Sequence, residues 1–365
     1  MKYLYWSFGI FLLISIGCTE KKEMEETYSL FVGTYTNGES EGIYKLNFNS
    51  VSGALDSMKL MAKLPNPSFL TFSSDKQHLY AVQETADFDS LGGGVTAFEF
   101  ENGLLKELNS KGSGGAHPCH ITISRKGQVA VSNYTGGNLA VFDLETNGSL
   151  GVRQLIDHRV LDSTKAPHVH KAHFNEDGLF ASDLGLDGIK RYMKNGSLWE
   201  AAHQASIDLP EGAGPRHFVF NTDRSFLYGI NELNATVTVF ERDDEGSYNP
   251  IQTENTLAPD WDGGKSCADV HLSPDGRFLY GSNRGENTVV IFSVDDTTGE
   301  INLVGRESVR GDWPRNFTLD PSGNFLLVAN ERSNNISVFK RDNAEGTLEF
   351  LNEIKIGAPV CLVFQ

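Results

Sequence analysis

Short runs that alternate apolar and polar residues recur along the chain and predict antiparallel β-strands. The clearest example is residues 267–301, where four runs rich in Val, Ile, Phe and Tyr are separated by turns such as Pro274-Asp275-Gly276. β-branched and aromatic residues favour strands, whereas Asp, Gly, Pro and Asn favour the turns between them. The stretch therefore predicts a four-stranded antiparallel sheet, which has two faces to bury and is not stable alone.

The same pattern repeats along the chain. The last apolar residue of each first run serves as a marker, and the markers follow one another at intervals of 45 to 52 residues: Phe72, Ile123, Phe174, Phe220, Leu272, Leu319 and Phe364. Periods of about 40–50 residues with four strands per unit are typical of a β-propeller. The sequence therefore predicts an all-β fold, a seven-bladed β-propeller with four-stranded antiparallel blades.

The first blade is divided between the two ends of the chain. Residues 31–48 contain outer strands of a blade with no first run before them, whereas Pro359–Phe364 form a first run with nothing after it. We expect the C-terminal strand to complete the first blade and to close the ring, which removes an open sheet edge. Residues 30–365 are thus predicted to form one propeller domain.

The N-terminal residues have a different composition. Lys2 is followed by an apolar stretch over residues 4–16, a pattern typical of a secretory signal and too short for a mature membrane span. Ser15–Cys18 resembles a bacterial lipobox, in which Cys18 becomes the lipidated first residue. We predict a signal peptide over residues 1–17, a flexible tether over 18–29 and an exported lipoprotein facing the periplasm or cell surface. Ordinary signal cleavage and an uncleaved anchor are the alternatives.

The net charge of −17 argues against a nucleic-acid partner, because such a partner requires a basic footprint. The charge says little about small substrates, since a local basic pocket can lie inside an acidic protein. We expect a monomer that acts on a small molecule and meets the membrane only through its N-terminal lipid.

Blade geometry predicts where functional residues collect. The first strand of a blade is normally innermost and the second runs antiparallel beside it, so the start of one and the end of the other lie at the same mouth of the central channel. Counting four residues back from each marker gives seven side chains that should share one orientation around the channel: Ser68, Cys119, His170, Arg216, Ala268, Arg315 and Val360.

Some residues at this mouth depart from the repeat consensus, which is expected where a repeat does something other than fold. The candidates for catalysis are His170, Arg216, Glu232 and Arg284. The candidates for substrate binding are His168, Asp183, His217 and Arg315. The asparagines that recur at the ends of second strands are expected to tie neighbouring blades together instead: Asn133, Asn231, Asn283 and Asn330.

A carboxylate or imidazole beside several arginines suits an ester substrate with an anionic group. Glu232 or His170 could take a proton from water, and the arginines could hold a carboxylate or phosphate and stabilise an oxyanion. The sequence contains no G-x-S-x-G elbow and no glycine-rich phosphate loop. Direct attack by water is therefore favoured over an acyl-enzyme. His168 and His170 form an H-x-H pair, but no third metal ligand is fixed by spacing, so we predict no metal and no cofactor.

Five stretches together resemble the seven-bladed lactonase family: GPRHFVF, GINELNATVTVF, SCADVHLSPDGRFLYGSNRGENTV, GDWPRNFTLDPSGNFLLVANERSNNISVF and PVCLVF. This family includes propeller-type bacterial 6-phosphogluconolactonases and fungal carboxymuconate lactonizing enzymes. The resemblance, over residues 30–364, implies a metal-independent lactone hydrolase or cyclase that acts at one mouth of the channel. It also implies pocket roles for Arg216, Glu232, Arg284 and either His168 or His170.

Two other functions remain open from the sequence. The first is a non-enzymatic, tethered propeller that binds an envelope protein or glycan. The second is a metal-dependent lactonase of another propeller type. The export signal also conflicts with a phosphorylated sugar substrate, because phosphosugars are cytoplasmic metabolites. An unphosphorylated lactone outside the cytoplasm is therefore an alternative substrate.

Overall fold

The computed structural model describes residues 1–3 and 25–365. Most of the predicted signal peptide and the predicted lipidation site, Cys18, lie outside the described residues. Within the described ranges, no helix has the length and apolar character needed to cross a membrane.

Residues 25–365 form seven four-stranded antiparallel sheets, which confirms the predicted seven-bladed propeller. Blade 1 contains β1 (Thr27–Thr34), β2 (Gly42–Asn49), β3 (Leu55–Lys63) and β28 (Pro359–Phe364). Blades 2 to 4 contain β4 (Leu70–Phe72), β5 (His78–Gln83), β6 (Gly94–Glu101), β7 (Leu104–Gly112), β8 (Pro118–Ile123), β9 (Gln128–Asn133), β10 (Asn138–Leu144), β11 (Leu150–Asp157), β12 (Val169–Asn175), β13 (Gly178–Asp183), β14 (Gly188–Asn195) and β15 (Leu198–Asp208). Blades 5 to 7 contain β16 (Pro215–Phe220), β17 (Phe226–Asn231), β18 (Thr236–Arg242), β19 (Tyr248–Asn255), β20 (Cys267–Leu272), β21 (Phe278–Asn283), β22 (Thr288–Val294), β23 (Ile301–Ser308), β24 (Pro314–Leu319), β25 (Phe325–Asn330), β26 (Asn335–Arg341) and β27 (Leu348–Lys355). A short 3-10 helix, His158–Val160, follows β11.

The C-terminal strand closes the ring as predicted. Strand β28 pairs antiparallel with β1, and Leu30 lies opposite Phe364 in the ladder. One boundary differs from the prediction, because β1 already begins at Thr27, which pairs with Asn49. The propeller therefore starts three residues before the expected end of the tether.

The apolar faces of the blades pack against one another. Seven clusters of buried apolar side chains lie between successive blades around the ring. Between blades 7 and 1, for example, the rings of Phe325 and Phe48 meet edge to face with centroids 5.5 Å apart. Each sheet thus buries both faces, and closure by β28 completes one of these interfaces.

The turns after the first strands share one backbone feature. The fourth residue of each of six turns has a positive φ: Lys76, Gly127, Gly178, Arg224, Gly276 and Gly323. Glycine adopts this conformation without a Cβ penalty, which explains its presence at four of the six positions.

Three of the four recurring asparagines, Asn133, Asn283 and Asn330, tie neighbouring blades as predicted, whereas Asn231 donates only within its own blade, to Thr236 and Thr238. Asn133 is fully buried and donates to the Ser113 carbonyl at 3.1 Å, just after the last strand of blade 2. Asn283 donates in the same way to the Thr256 carbonyl at 3.1 Å, just after the last strand of blade 5. These side chains therefore tie the second strand of one blade to the outer edge of the blade before it.

Candidate active site

The first strands bring far-separated residues together near one mouth of the channel. Six of the seven side chains predicted to share an orientation line one cavity of about 10 Å³, which has room for about one water molecule. Its lining residues are Ser68, Phe69, Cys119, His170, Arg216, His217, Arg315 and Val360. We call the seven predicted positions the mouth layer; its remaining member, Ala268, accepts a hydrogen bond from Arg216 through its carbonyl.

A β-bulge explains why the mouth layer faces the channel. In blade 5 the ladder pairs Pro215 with Asn231 and then His217 with Ile230, which leaves Arg216 without an opposing residue. The ladders also skip Cys119, His170, Arg315 and Val360. A bulge inserts one extra residue and re-aims its side chain. The same irregularity, repeated around the ring, turns these side chains towards one opening.

Glu232 lies directly after β17 and is held by two arginines. Its Oε2 is 3.0 Å from Arg216 Nε and 2.8 Å from Arg284 Nη2, and these are the closest contacts of both guanidinium groups with the carboxylate. No residue between 25 and 365 donates a hydrogen bond to either carboxylate oxygen, and Arg216 Nε has no hydrogen-bond partner, so both contacts are ion pairs. The Glu232 side chain is 20% exposed, whereas those of Arg216 and Arg284 are 2% and 5% exposed. The carboxylate is thus paired with two buried cations through Oε2, while its side chain remains partly exposed.

The two arginines also hold the backbone at the junction of blades 5 and 6. Arg216 Nη1 donates to the Ala268 carbonyl, and Arg284 Nη2 donates to the Cys267 carbonyl at 3.1 Å. Burial lowers the pKa of Arg216 to about 10, and the nearby Arg284 and Arg315 act in the same direction. Arg216 is therefore still a cation at neutral pH, and both arginines serve first to position Glu232.

Arg315 is placed differently. Its closest acidic contact is Glu84 Oε2, 3.8 Å from Nη2, and it donates no hydrogen bond to any described residue. Its guanidinium lies over the ring of Tyr35 at 5.3 Å from the centroid, and the Tyr35 hydroxyl donates to Glu84 at 3.0 Å. Burial alone would lower the pKa of Arg315, but Tyr35, Glu84 and Glu331 outweigh burial and raise it. Arg315 is thus a permanent cation whose N–H groups remain available.

Tyr35 and Glu84 were missed as site residues in the sequence. Both follow a second strand of a blade, β1 for Tyr35 and β5 for Glu84, which is the position that Glu232 occupies in blade 5. The same rule applied to every blade, including the divided first one, would have selected them.

His170 is a buried and neutral imidazole. It is 4% exposed, its ring lies edge-on to Tyr134 with centroids 5.7 Å apart, and Nδ1 has no hydrogen-bond partner among the described residues. Burial, followed by the charge of Arg216, lowers the pKa of His170 well below its usual range. His170 is therefore uncharged at neutral pH, and its protonated form is unfavourable.

His217 forms a dyad with Asp269. His217 Nδ1 lies 2.6 Å from Asp269 Oδ1, and burial lowers the pKa of His217 to about 3. Because an ionised carboxylate only accepts hydrogen bonds, the neutral imidazole donates from Nδ1 and keeps a lone pair on Nε2. That Nε2 has no partner among the described residues. Nothing in the sequence links Asp269 to His217, which lies 52 residues earlier in the chain.

His168 and Asp183 lie at the edge of this cluster. The His168 ring stacks on Tyr134 with centroids 4.5 Å apart. Asp183 is fully buried, and its carboxylate accepts from the His168 backbone N–H at 2.8 Å and from His158 Nδ1 at 2.7 Å. This differs from the predicted direct contact of Asp183 with substrate, because both of its oxygens are enclosed and bonded to protein. Asp183 instead positions the loop that carries His168.

The H-x-H pair does not gain a third ligand in the fold. Within residues 1–3 and 25–365, no three His, Cys, Asp or Glu side chains come together in a way that could hold a metal ion.

The buried imidazoles are expected to make the propeller less stable in acid. Burial lowers the pKa of His120 and His170 well below the usual range, that of His173 to about 4 and that of His217 to about 3. A histidine with a depressed folded-state pKa binds fewer protons than in the unfolded chain, so its stabilising contribution is complete above about pH 6.5 and is lost as the pH falls towards the folded-state value. We expect the Tm at pH 5 to lie roughly 5 °C or more below that at pH 7.

Differential scanning calorimetry across this range checks the expectation. A His173→Gln variant should show a shallower decline of Tm with falling pH, because one of the contributing groups is removed. An unchanged Tm between pH 7 and pH 5 would contradict the assignment of neutral buried imidazoles.

Comparison with known proteins agrees with the fold. Residues 29–364 match the family model described as "Lactonase, 7-bladed beta-propeller". A 6-phosphogluconolactonase of Formosa agariphila is 37% identical over 313 residues, which cover 80% of this chain and 86% of that protein. A 6-phosphogluconolactonase of Bacillus subtilis is 34% identical over 304 residues, covering 80% and 85% of the two chains.

A solved structure extends the similarity to three dimensions. The periplasmic gluconolactonase of Pseudomonas aeruginosa superimposes with a TM-score of 0.87 at 34% identity, over 93% of this chain and 99% of that one. The chain therefore belongs to the family of seven-bladed β-propeller lactonases.

Proposed function

We propose that the protein hydrolyses the ring ester of a sugar-acid lactone by activating water at the channel mouth, without a metal ion. The observation that carries this proposal is the state of Glu232, which forms ion pairs through Oε2 with Arg216 and Arg284 while its side chain stays partly exposed. A carboxylate held in this way is suited to act as a general base. Membership of the lactonase family supports an ester ring as its target.

The reaction divides into two steps. Glu232 Oε1 takes a proton from water as the water oxygen attacks the lactone carbonyl carbon, and the carbonyl oxygen becomes an oxyanion. Arg315, whose N–H groups are uncommitted, stabilises this charge. The tetrahedral intermediate then collapses with cleavage of the bond to the ring oxygen, which receives the proton from Glu232 and leaves as a hydroxyl group. The product is the open hydroxy acid.

The exposure of the two possible bases favours Glu232 over His170. Glu232 is 20% exposed, whereas His170 is 4% exposed and carries a pKa well below its usual range. A base is most effective when its pKa lies near the working pH, so a strongly depressed imidazole is a poor choice. We assign His170 and His217 to the floor of the site, where their free nitrogens can bind a substrate hydroxyl.

The relatives indicate the substrate class. Two of them are named 6-phosphogluconolactonases, and one solved relative is a periplasmic gluconolactonase. We therefore propose δ-gluconolactone or its 6-phosphate as substrates, with an arginine of the mouth available to hold an anionic group.

A pH-stat assay on both lactones tests the proposal, because hydrolysis releases one proton per turnover at neutral pH. We expect hydrolysis of at least one of them above the spontaneous rate and full activity after exhaustive dialysis against a chelator. Absence of activity on a broad lactone panel would remove the proposed function. Loss of activity on chelation, restored by a metal, would replace the mechanism with a metal-dependent one.

We also propose that the protein is exported and anchored by a lipid on Cys18, which lies outside the described residues. The lipobox-like sequence Ser15–Cys18 supports this proposal. The remaining cysteines, Cys119, Cys267 and Cys361, are buried in the propeller and offer no accessible thiol for acylation.

Replacing Cys18 by Ala is expected to abolish labelling by a radioactive fatty acid and to move the protein out of the detergent phase in a two-phase partition. The wild-type chain expressed in the same cells is the control. A wild-type protein that stays unlabelled and partitions into the aqueous phase would show that Cys18 is not a lipidation site.

A further inference from the structure

A second cavity lies further along the same channel, beyond the mouth layer. It has a volume of about 420 Å³, and first strands of all seven blades contribute to its lining. Phe69 and His217 line both cavities and so form the partition between them. The other lining residues come later on the first strands than the mouth layer, as far as Pro321 and Phe364. The second cavity therefore lies towards the opposite end of the ring from Glu232.

The cavity contains a lysine without an ion-pair partner. Lys171 lines it, lies over the ring of Phe218 at 5.6 Å from the centroid, and forms no ion pair or side-chain hydrogen bond with any described residue. Burial lowers the pKa of Lys171. A half-buried ammonium group without a partner is unfavourable unless something supplies the missing negative charge.

The one carboxylate among the lining residues, Asp269, forms no ion pair with Lys171, although its charge raises the pKa of Lys171 and so opposes the effect of burial. Asp269 accepts from His217 at 2.6 Å, from Asn316 at 2.6 Å and from His271 at 3.1 Å. Its oxygens are thus already bonded to N–H donors within the protein. The cavity thus presents the Lys171 cation and polar donors beside one carboxylate that is already bonded to three side chains.

The remaining lining suits a polar ligand. His120, His173 and three half-buried threonines face the same space: Thr71, Thr122 and Thr318. The side chain of His271 is 33% exposed, so the cavity communicates with solvent. Its volume falls within the range of about 300–1,000 Å³ that is usual for small-molecule sites.

We infer that this cavity binds a small oxyanion, a carboxylate or phosphate group on a molecule no larger than a sugar acid, with Lys171 as its charged contact. Lys171 provides the positive charge, while the imidazole and threonine groups provide neutral donors around it. The site is separate from the mouth cluster, and the inference does not depend on the lactonase proposal.

Isothermal titration calorimetry with inorganic phosphate and with gluconate tests the inference, and neutral glucose is the control for size. We expect phosphate, gluconate or both to bind the wild-type protein, and glucose not to bind. Lys171→Met keeps the aliphatic stem over Phe218 and removes the charge, so it should weaken binding about tenfold or more. Lys171→Arg should retain part of the affinity, and Lys340→Met, at an exposed lysine on β26, should leave it unchanged.

Arg315→Gln separates this site from the mouth, because it changes only the mouth cluster. We expect this variant to bind the anion as the wild type does. No binding of phosphate or gluconate at about 10 mM would overturn the inference. So would equal binding of glucose, or binding that survives in Lys171→Met and is lost in Arg315→Gln. If Lys171→Met does not fold, imidazole NMR signals of His173 and His271 in the wild type give the answer, since they must shift when the anion is added.

Discussion

Replacing Glu232 by Gln is expected to lower kcat for lactone hydrolysis by about 10²- to 10⁴-fold. The amide has nearly the same shape and keeps an oxygen that can lie beside Arg216 and Arg284, but it cannot take a proton from the attacking water. KM should change much less, because the loss affects the transition state more than the bound lactone. Steady-state kinetics in the pH-stat assay give both constants, and circular dichroism shows whether the variant is folded.

Glu331 provides the matched control, because it follows β25 just as Glu232 follows β17. Glu331 is half-buried and forms no ion pair with an arginine among the described residues, so Glu331→Gln should keep kcat within about threefold of the wild type. A Glu232→Gln enzyme with wild-type kcat would exclude Glu232 as the base. If His170→Gln were inactive in the same experiment, the base would be His170, which the sequence alone also allowed.

The fold was predictable because its evidence is local and repeated. Each blade has its own alternation of apolar and polar residues, its own turn and its own marker residue. A strand misassigned in one blade can therefore be corrected by comparison with the others. Ring closure could be predicted from a similar comparison, since Pro359–Phe364 is a first strand without a blade and β1 begins a blade without a first strand. The exact start of β1 at Thr27 could not be read from composition, because its pairing with Asn49 depends on the neighbouring strand.

The sequence also predicted that the mouth-layer residues lie together. The alternation of side chains along a regular strand does not explain why this prediction succeeded. A residue four places before a marker such as Phe174 should lie on the same side of the strand as that marker. Phe174 packs between blades, whereas His170 faces the channel. The bulge at His170 reverses the side on which the strand presents its residues. Counting succeeded because the bulge recurs in nearly every blade.

Individual side-chain partners could not be predicted, because they join residues far apart in the chain. The contact of His217 with Asp269 spans 52 residues, and that of Tyr35 with Glu84 spans 49. Asp183 is a different case. It lies at the end of a second strand, where functional residues were expected, but its carboxylate is fully bonded to other residues of the protein. Its partner His158 lies on a 3-10 helix between blades, which the repeat pattern does not include.

Replacing Arg315 by Gln is the second substitution expected to have a large effect, with kcat lowered by about 10²- to 10³-fold. Arg315 is a cation that donates no hydrogen bond to any described residue, and its side chain is only 16% exposed. A charge held in a partly water-free site without a committed partner interacts strongly with an oxyanion that forms nearby. KM should change less than kcat, and Arg315→Lys should recover part of the rate because the charge is retained.

The alternative for Arg315 is a purely structural role beside Glu84 and Tyr35, and the two roles give different results. A structural role predicts a lower Tm for Arg315→Gln with normal activity per folded molecule, whereas oxyanion stabilisation predicts a loss of kcat in a folded enzyme. Arg332→Gln is the control, because Arg332 lies over Trp313 at the same mouth and is exposed; its kcat should stay within about threefold of the wild type. A rise in KM with unchanged kcat would instead show that Arg315 binds the substrate and the transition state equally well. Arg284 would then have to stabilise the oxyanion.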